Sequence, residues 1–145
     1  MQKLKLTAKM EIIPTLVFSG DCEEALKFYI KCFGGDIIYM ERYKDAPAEF
    51  NPKFGNNILH SKFEFGVNKF YASDSFEGKK VAAGDNQSLT IEFESKEQLA
   101  EVYEIISEGA SIKTPLQESF WGTSYAILTD RYGIMWNLNF TRVVG

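Results

Sequence analysis

The chain has 145 residues, 45% of them hydrophobic, and a formal net charge of −4 at pH 7; that suffices for the core of one domain and argues against the basic face that nucleic-acid phosphates require. Aromatic residues are abundant, with 12 Phe, 7 Tyr and 2 Trp, and such rings line cores, interfaces and ligand cavities alike. No segment approaches the roughly 18 consecutive apolar residues of a membrane-spanning helix, so neither nucleic acid nor a membrane is an expected partner.

In chain order, residues 1–10 carry Lys3 and Lys5 but no apolar run of a signal peptide. They read as a short extra strand or a tail, and the expected address is the cytoplasm. A strand is expected over 11–19. Asp21 with Glu24 then forms a capping pattern, and Cys22, Ala25, Leu26, Tyr29, Cys32 and Phe33 recur at the three- and four-residue spacing of an amphipathic helix that Gly34-Gly35 stops. Strands follow over 36–43, 58–65 and 69–73, the last two joined as a hairpin by Gly66-Val67-Asn68. Residues 44–57, with Pro47, Pro52 and Gly55, form a loop long enough to be functional.

The same order then repeats. After a strand over 88–93 comes a second capping pair, Ser95 with Gln98, about 75 positions beyond the first. Leu99, Val102, Tyr103 and Ile106 make its apolar stripe and Gly109 its stop, and strands follow over 111–113, 123–129 and 134–140. A loop over 116–122 carries Phe120 and Trp121, and Asp130-Arg131-Tyr132-Gly133 makes the last turn. Two helices with matching punctuation and matching flanking strands indicate a duplicated βαβββ unit. The expectation is a single domain over 1–145, with module 1 at about 10–76, a polar linker at 77–86 and module 2 at about 87–142. Its class is α+β: two modules forming a cupped mixed sheet, with the helices on the convex face.

Cys22 and Cys32 stand ten positions apart on one helix, about 15 Å at 1.5 Å per residue, too far for a bridge that tolerates under about 7 Å. Both lie on the apolar stripe and read as buried structural thiols. On the strands, Leu59, Phe63 and Phe65 alternate with His60, Lys62 and Glu64. Leu89, Ile91 and Phe93 alternate with Ser88, Thr90 and Glu92, and Trp136, Leu138 and Phe140 alternate with Met135, Asn137 and Asn139. The apolar sets are expected against the helices. The other set mixes His, Ser, Thr and Asn with a few charges, which suits either a concave ligand-orienting surface or a solvated sheet face.

These features together resemble the vicinal oxygen chelate superfamily, the glyoxalase I and bleomycin-resistance group, and within it the PhnB-like branch. The residues that carry the likeness are Ile13-Pro14-Thr15-Leu16-Val17-Phe18, Glu24-Ala25-Leu26-Lys27-Phe28-Tyr29, Phe33-Gly34-Gly35, His60, Phe120-Trp121-Gly122 and Asp130 through Trp136. The resemblance implies paired βαβββ modules and a homodimer. In the group's metalloenzymes four side chains, usually His and Glu, hold one divalent metal, and the corresponding positions here are Pro14, His60, Ser88 and Asn137. Only His60 is a good ligand, so no metal and no other cofactor is expected. Where the branch has Asp-Arg after Trp-Gly this chain has Thr123-Ser124, which removes the anion contact of that Arg, and Arg131-Tyr132 replaces the usual Pro-Phe of the turn. Some members of the branch bear a label linking them to demethylubiquinone methyltransferase. The turns before both helices lack the Gly-rich pattern of a nucleotide-type cofactor site, so methyl transfer is not expected.

The candidate ligand-binding residues are His60, Ser88, Thr90, Trp121, Asn137 and Asn139, and the candidate catalytic residues are His60 and Glu92. His60, the sole histidine, suits a base, an acid or a ligand contact, or simply a hydrogen-bonded sheet residue. Glu92 and Glu64 suit a carboxylate base if desolvated, and solvated or ion-paired surface residues if not. Trp121 reads as a cavity wall, a core anchor or a dimer contact, whereas Phe28, Tyr29 and Trp136 read as core. The functional expectation is metal-independent binding of a small organic molecule in the cup. Two alternatives stand beside it: a lyase- or isomerase-type enzyme using His60 or Glu92 as proton-transfer base on a carbonyl compound, and a non-catalytic dimeric interaction protein.

Overall fold

The computed structural model describes residues 10–47 and 54–142. Of the strand or tail read over 1–10 only Met10 lies within the described residues, and positions 48–53 of the loop read over 44–57 lie outside them.

The first half contains β1 (Thr15–Phe18), α1 (Cys22–Phe33), β2 (Asp36–Arg42), β3 (Ile58–Phe65) and β4 (Asn68–Asp74). The second contains β5 (Leu89–Glu92), α2 (Lys96–Ile106), β6 (Ser111–Glu118), β7 (Thr123–Thr129) and β8 (Met135–Thr141). The chain is therefore α+β, with two four-stranded mixed sheets ordered β1-β4-β3-β2 and β5-β8-β7-β6. In each sheet the first strand runs parallel to the fourth, and the other neighbours are antiparallel. The expected duplication is present to the level of strand order.

Several boundaries and contacts differ from those read in the sequence, each for a physical reason. β1 is shorter than 11–19 because Pro14 has no N–H to give a ladder; its carbonyl alone accepts, from the Tyr71 amide at 2.9 Å. β6 runs five residues beyond 113, through Pro115, because it is an edge strand whose pairing is already interrupted between Thr114 and Gln117. Leu59 is not the core residue of its strand. The register shifts between Glu41 and Arg42, so that Ile58 is buried while Leu59 is half-buried. Ser61 fills the next core-facing position, satisfied by donating its hydroxyl to the Ala72 carbonyl at 2.7 Å. α2 ends at Ile106 with Ser107 as its cap, three residues before the expected stop at Gly109.

The caps divide in the same way. At α2 the expected pair forms: Ser95 Oγ accepts from the Gln98 amide, and Gln98 Oε1 reaches back to the Glu94 amide. At α1, Asp21 makes no side-chain cap bond. Asp74, from the end of β4, accepts from the Gly20 and Cys22 amides instead, both at 2.9 Å. α1 does stop at Gly34. At Gly35 (φ +84°) a Cβ would lie 2.3 Å from the Glu64 carbonyl oxygen, so only glycine lets the chain pass β3.

Each helix packs on one face of its sheet, and the buried side chains of both halves form one cluster. Tyr29 of α1 is central to it. Its ring meets Phe70 of β4 at 6.0 Å and Trp136 of β8 at 5.6 Å, and its hydroxyl donates to Asp130 at 2.5 Å. At the outer end of the first module, Arg42 forms a two-point pair with Glu23 at 3.0 and 2.9 Å, which holds the Glu23 carboxyl below the usual range. Among the described residues no helix is long and apolar enough to cross a membrane.

Candidate functional site

Because one face of each sheet is committed to the helices, alternate side chains of every strand point to the opposite face. In the second module β5 and β8 align Thr90 with Asn137 and Glu92 with Asn139. The Asn137 amide nitrogen donates to Ser88 Oγ at 2.6 Å and to Thr90 Oγ1 at 3.3 Å, and the Asn139 amide donates to Glu92 Oε1 at 3.3 Å. Both hydrogens of the Asn137 amide are thus used. Its carbonyl oxygen remains as an acceptor, and the Ser88 and Thr90 hydroxyl hydrogens remain as donors. Five of the sequence-derived site residues, Ser88, Thr90, Glu92, Asn137 and Asn139, are therefore brought onto one small polar floor.

Two grooves run between the modules beside this floor. One, of about 550 Å³, has Phe65, Phe70, Leu89, Ile91 and Trp136 among its lining, with Thr90, Glu92 and Lys69 among its polar residues. The other, of about 570 Å³, lies between β1, the segment 81–88 and the turn before β8, and includes Ser88, Asp21 and Tyr132. Both linings mix polar and apolar side chains in comparable measure. Asn137 joins the two grooves by bonding one residue from each.

His60 and Trp121 stand apart from that floor. Neither lines either groove; Asn137 and Asn139 do not line them either, but they bond Ser88, Thr90 and Glu92, which do. His60 sits half-buried on the open face of the first sheet, its ring 5.9 Å from that of Tyr39 and 5.0 Å edge-on to that of Tyr71. Lys62, two residues along the same strand, holds its ammonium 5.7 Å from the Tyr39 ring and 5.8 Å from the Tyr71 ring. Trp121 is 65% exposed at the β6–β7 turn, edge-on to Phe120 at 4.6 Å. Sequence reasoning placed Lys62 only in a polar alternation and did not select Tyr39 or Tyr71. Same-parity spacing with His60 marks Lys62, but the two tyrosines join it only through cross-strand register, which the sequence does not display.

The metal positions implied by the resemblance do not fit an ion. Pro14 has no donor atom and the Ser88 hydroxyl is engaged by Asn137. Among the described residues no three His, Cys, Asp or Glu side chains converge. Neither cysteine is an accessible nucleophile: burial pushes the thiols of Cys22 and Cys32 each up to about 12.

Comparison with known proteins agrees with this architecture. The family described as 3-demethylubiquinone-9 3-methyltransferase matches residues 10–139. Protein PA1353 from Pseudomonas aeruginosa superposes with a TM-score of 0.83 at 27% identity, over 93% of this chain and 100% of that one. The PhnB protein from Bacillus cereus superposes at 0.78 and 25% identity, over 91% and 100% of the two chains. A glyoxalase/bleomycin resistance protein/dioxygenase family enzyme from Burkholderia phytofirmans shares the fold at 0.61 and 15% identity, over 88% and 95%. The chain belongs to the 3-demethylubiquinone-9 3-methyltransferase family, and it shares its fold with the PhnB protein and with the glyoxalase/bleomycin resistance protein/dioxygenase structure.

The family's name implies a methyl-donor cofactor, and the residues present do not fit one. The β1–α1 turn is Ser19-Gly20-Asp21, and its Gly20 and Cys22 amides, which would face such a group, already donate to Asp74.

Proposed function

We propose that this chain is a cytoplasmic, homodimeric protein that binds a small organic molecule on the open faces of its sheets without a metal. The observation that carries the reading is the polar floor of Ser88, Thr90, Asn137 and Asn139. These side chains take no part in the core, are ordered by one another, and stand beside grooves of ligand size. The enzyme alternative has less support. Glu92 is exposed and, among the described residues, accepts only from Asn139, so no enclosed site surrounds it in which to hold a substrate against a base. Both cysteines are free and buried, in keeping with a reducing compartment.

A thermal-shift screen with small aromatic and carbonyl compounds tests the binder reading, since a ligand that prefers the native state raises the midpoint by mass action. Compounds that stabilise the parent are expected to bind Asn137→Ala about tenfold more weakly, the loss of roughly one hydrogen-bonding acceptor. A broad screen without shifts, or hits indifferent to Asn137→Ala, defeats it. A second copy is the partner the superfamily resemblance suggests, and the exposed Ile12, Val67, Phe120 and Trp121 supply apolar surface for it. Sedimentation velocity at micromolar concentration is expected to give twice the monomer mass; a monomer at all concentrations refutes the dimer.

A further inference from the structure

The open face of the first sheet has a chemistry the second lacks. Tyr39 on β2, Lys62 on β3, Tyr71 on β4 and Thr15 on β1 are consecutive partners across four strands, forming a single rung. The Lys62 ammonium lies against the rings of Tyr39 and Tyr71, and His60 lies against the same two rings from the neighbouring position. Among the described residues Lys62 makes no ion pair and no hydrogen bond, and His60 makes no hydrogen bond. Two carboxylates share this face without pairing with Lys62. Glu41, across from His60, accepts the Tyr39 hydroxyl at 2.9 Å, and Glu64 stands two residues further along β3, opposite Lys69.

We infer that this rung is an anion subsite, and that the ligand is a small planar organic acid whose carboxylate or phosphonate oxygens meet Lys62 and His60 while its body stacks on Tyr39 and Tyr71. Three physical facts converge on this. Lys62 is a half-buried residue whose ammonium lies against two ring faces and, among the described residues, pairs with no carboxylate, which positions the cation and leaves its N–H donors open. The two tyrosines and the imidazole offer flat surfaces to an aromatic body. The polar floor of the second module is made of Ser88, Thr90, Glu92, Asn137 and Asn139 and holds a carboxylate of its own, whereas the rung of the first sheet carries Lys62 and His60. The inference rests on the small-molecule-binding reading and adds to it a site on the first sheet, apart from the polar floor, with its own class of ligand.

His60 is the sole histidine, so its imidazole proton resonances report on this face alone. Titration of the full chain with benzoate, phenylphosphonate and the neutral isostere benzamide, followed by proton NMR, is expected to move them saturably for both acids. Benzamide is expected to bind at least about tenfold more weakly. Lys62→Met is expected to abolish the preference for acids, and Lys62→Arg to retain it, whereas Asn137→Ala leaves the acid-over-amide ratio unchanged. A response to phenylphosphonate alone, or to benzoate alone, identifies which oxyanion the site takes. Equal affinity for acids and benzamide, unaltered in Lys62→Met, overturns the anion subsite while sparing the binder reading. No movement of His60 with any of the three at millimolar concentration overturns the subsite outright, and the thermal-shift screen with Asn137→Ala judges the broader reading separately.

Discussion

Replacing Asp130 by Ala is expected to lower the free energy of unfolding by about 4 kcal/mol, read by urea titration followed through tryptophan fluorescence. The carboxylate is 4% exposed and accepts four hydrogen bonds. Its Oδ1 takes the Tyr132 and Ile134 amides at 2.8 and 3.1 Å; its Oδ2 takes the Tyr29 hydroxyl at 2.5 Å and Trp136 Nε1 at 2.9 Å. Removing it strands the last two donors inside the core, where an unsatisfied group costs about 1–3 kcal/mol. It also releases the turn that starts β8.

Asp130→Asn separates charge from geometry. One amide oxygen can keep the turn, but the amide nitrogen then faces the Trp136 N–H, which cannot accept, so a loss of about 2 kcal/mol is expected. Tyr29→Phe removes one donor with its bond and is expected to cost only about 1 kcal/mol. A fully stable Asp130→Asn protein would show that the four bonds do not share this one carboxylate. Because Tyr29 belongs to α1 and Trp136 to β8, the same experiment measures how firmly the two modules are joined.

The second large effect is expected at Asp74, where Ala should cost about 3 kcal/mol. This carboxylate, 3% exposed, gathers three backbone amides from two segments: Gly20 and Cys22 at the entry to α1, and Ile58 at the start of β3, the last at 2.8 Å. Backbone donors cannot turn away to find other partners, so each stays unpaired when the acceptor is lost. Asp21→Ala, at the position whose sequence pattern signals the cap, is expected to cost less than about 1 kcal/mol, since Asp21 acts on α1 only through its charge near the helix N-terminus. If the two variants lose equal stability, or Asp21→Ala loses more, the cap has been assigned to the wrong residue.

The contrast between Asp21 and Asp74 shows how far local pattern carries. Both helices, their apolar stripes and the Gly34 stop were legible because a helix is specified by neighbours three and four residues apart. The duplicated βαβββ order followed from recurrent punctuation, and the polar faces of β5 and β8 from strict alternation. Leu59 departs from the alternation because it is the extra residue of a bulge in β3, between the Glu41–His60 and Arg42–Ile58 pairs, and a bulge is defined by pairing with β2, which residues 58–65 alone do not show. The far end of β6 was missed because Pro115 is a breaker in a central strand and tolerable on an edge, and edge position is a property of the sheet.

The candidate site divides along the same line. Ser88, Thr90, Glu92, Asn137 and Asn139 were each found as polar members of an alternating strand, and the parallel pairing of β5 with β8 then set them together. His60 was found by its chemistry, yet the company it keeps, Tyr39 and Tyr71 with Lys62 between them, was invisible because those residues come from three strands. Sequence alone thus determined which side chains turn away from the helices where the two-residue repeat runs unbroken, as in β5 and β8, but not across the bulge at Leu59. Tertiary structure alone decided which of them meet, and that Asp74 and Asp130 hold the chain across 52 and 101 positions. Contacts so distant along the backbone depend on register and packing, which no local spacing encodes.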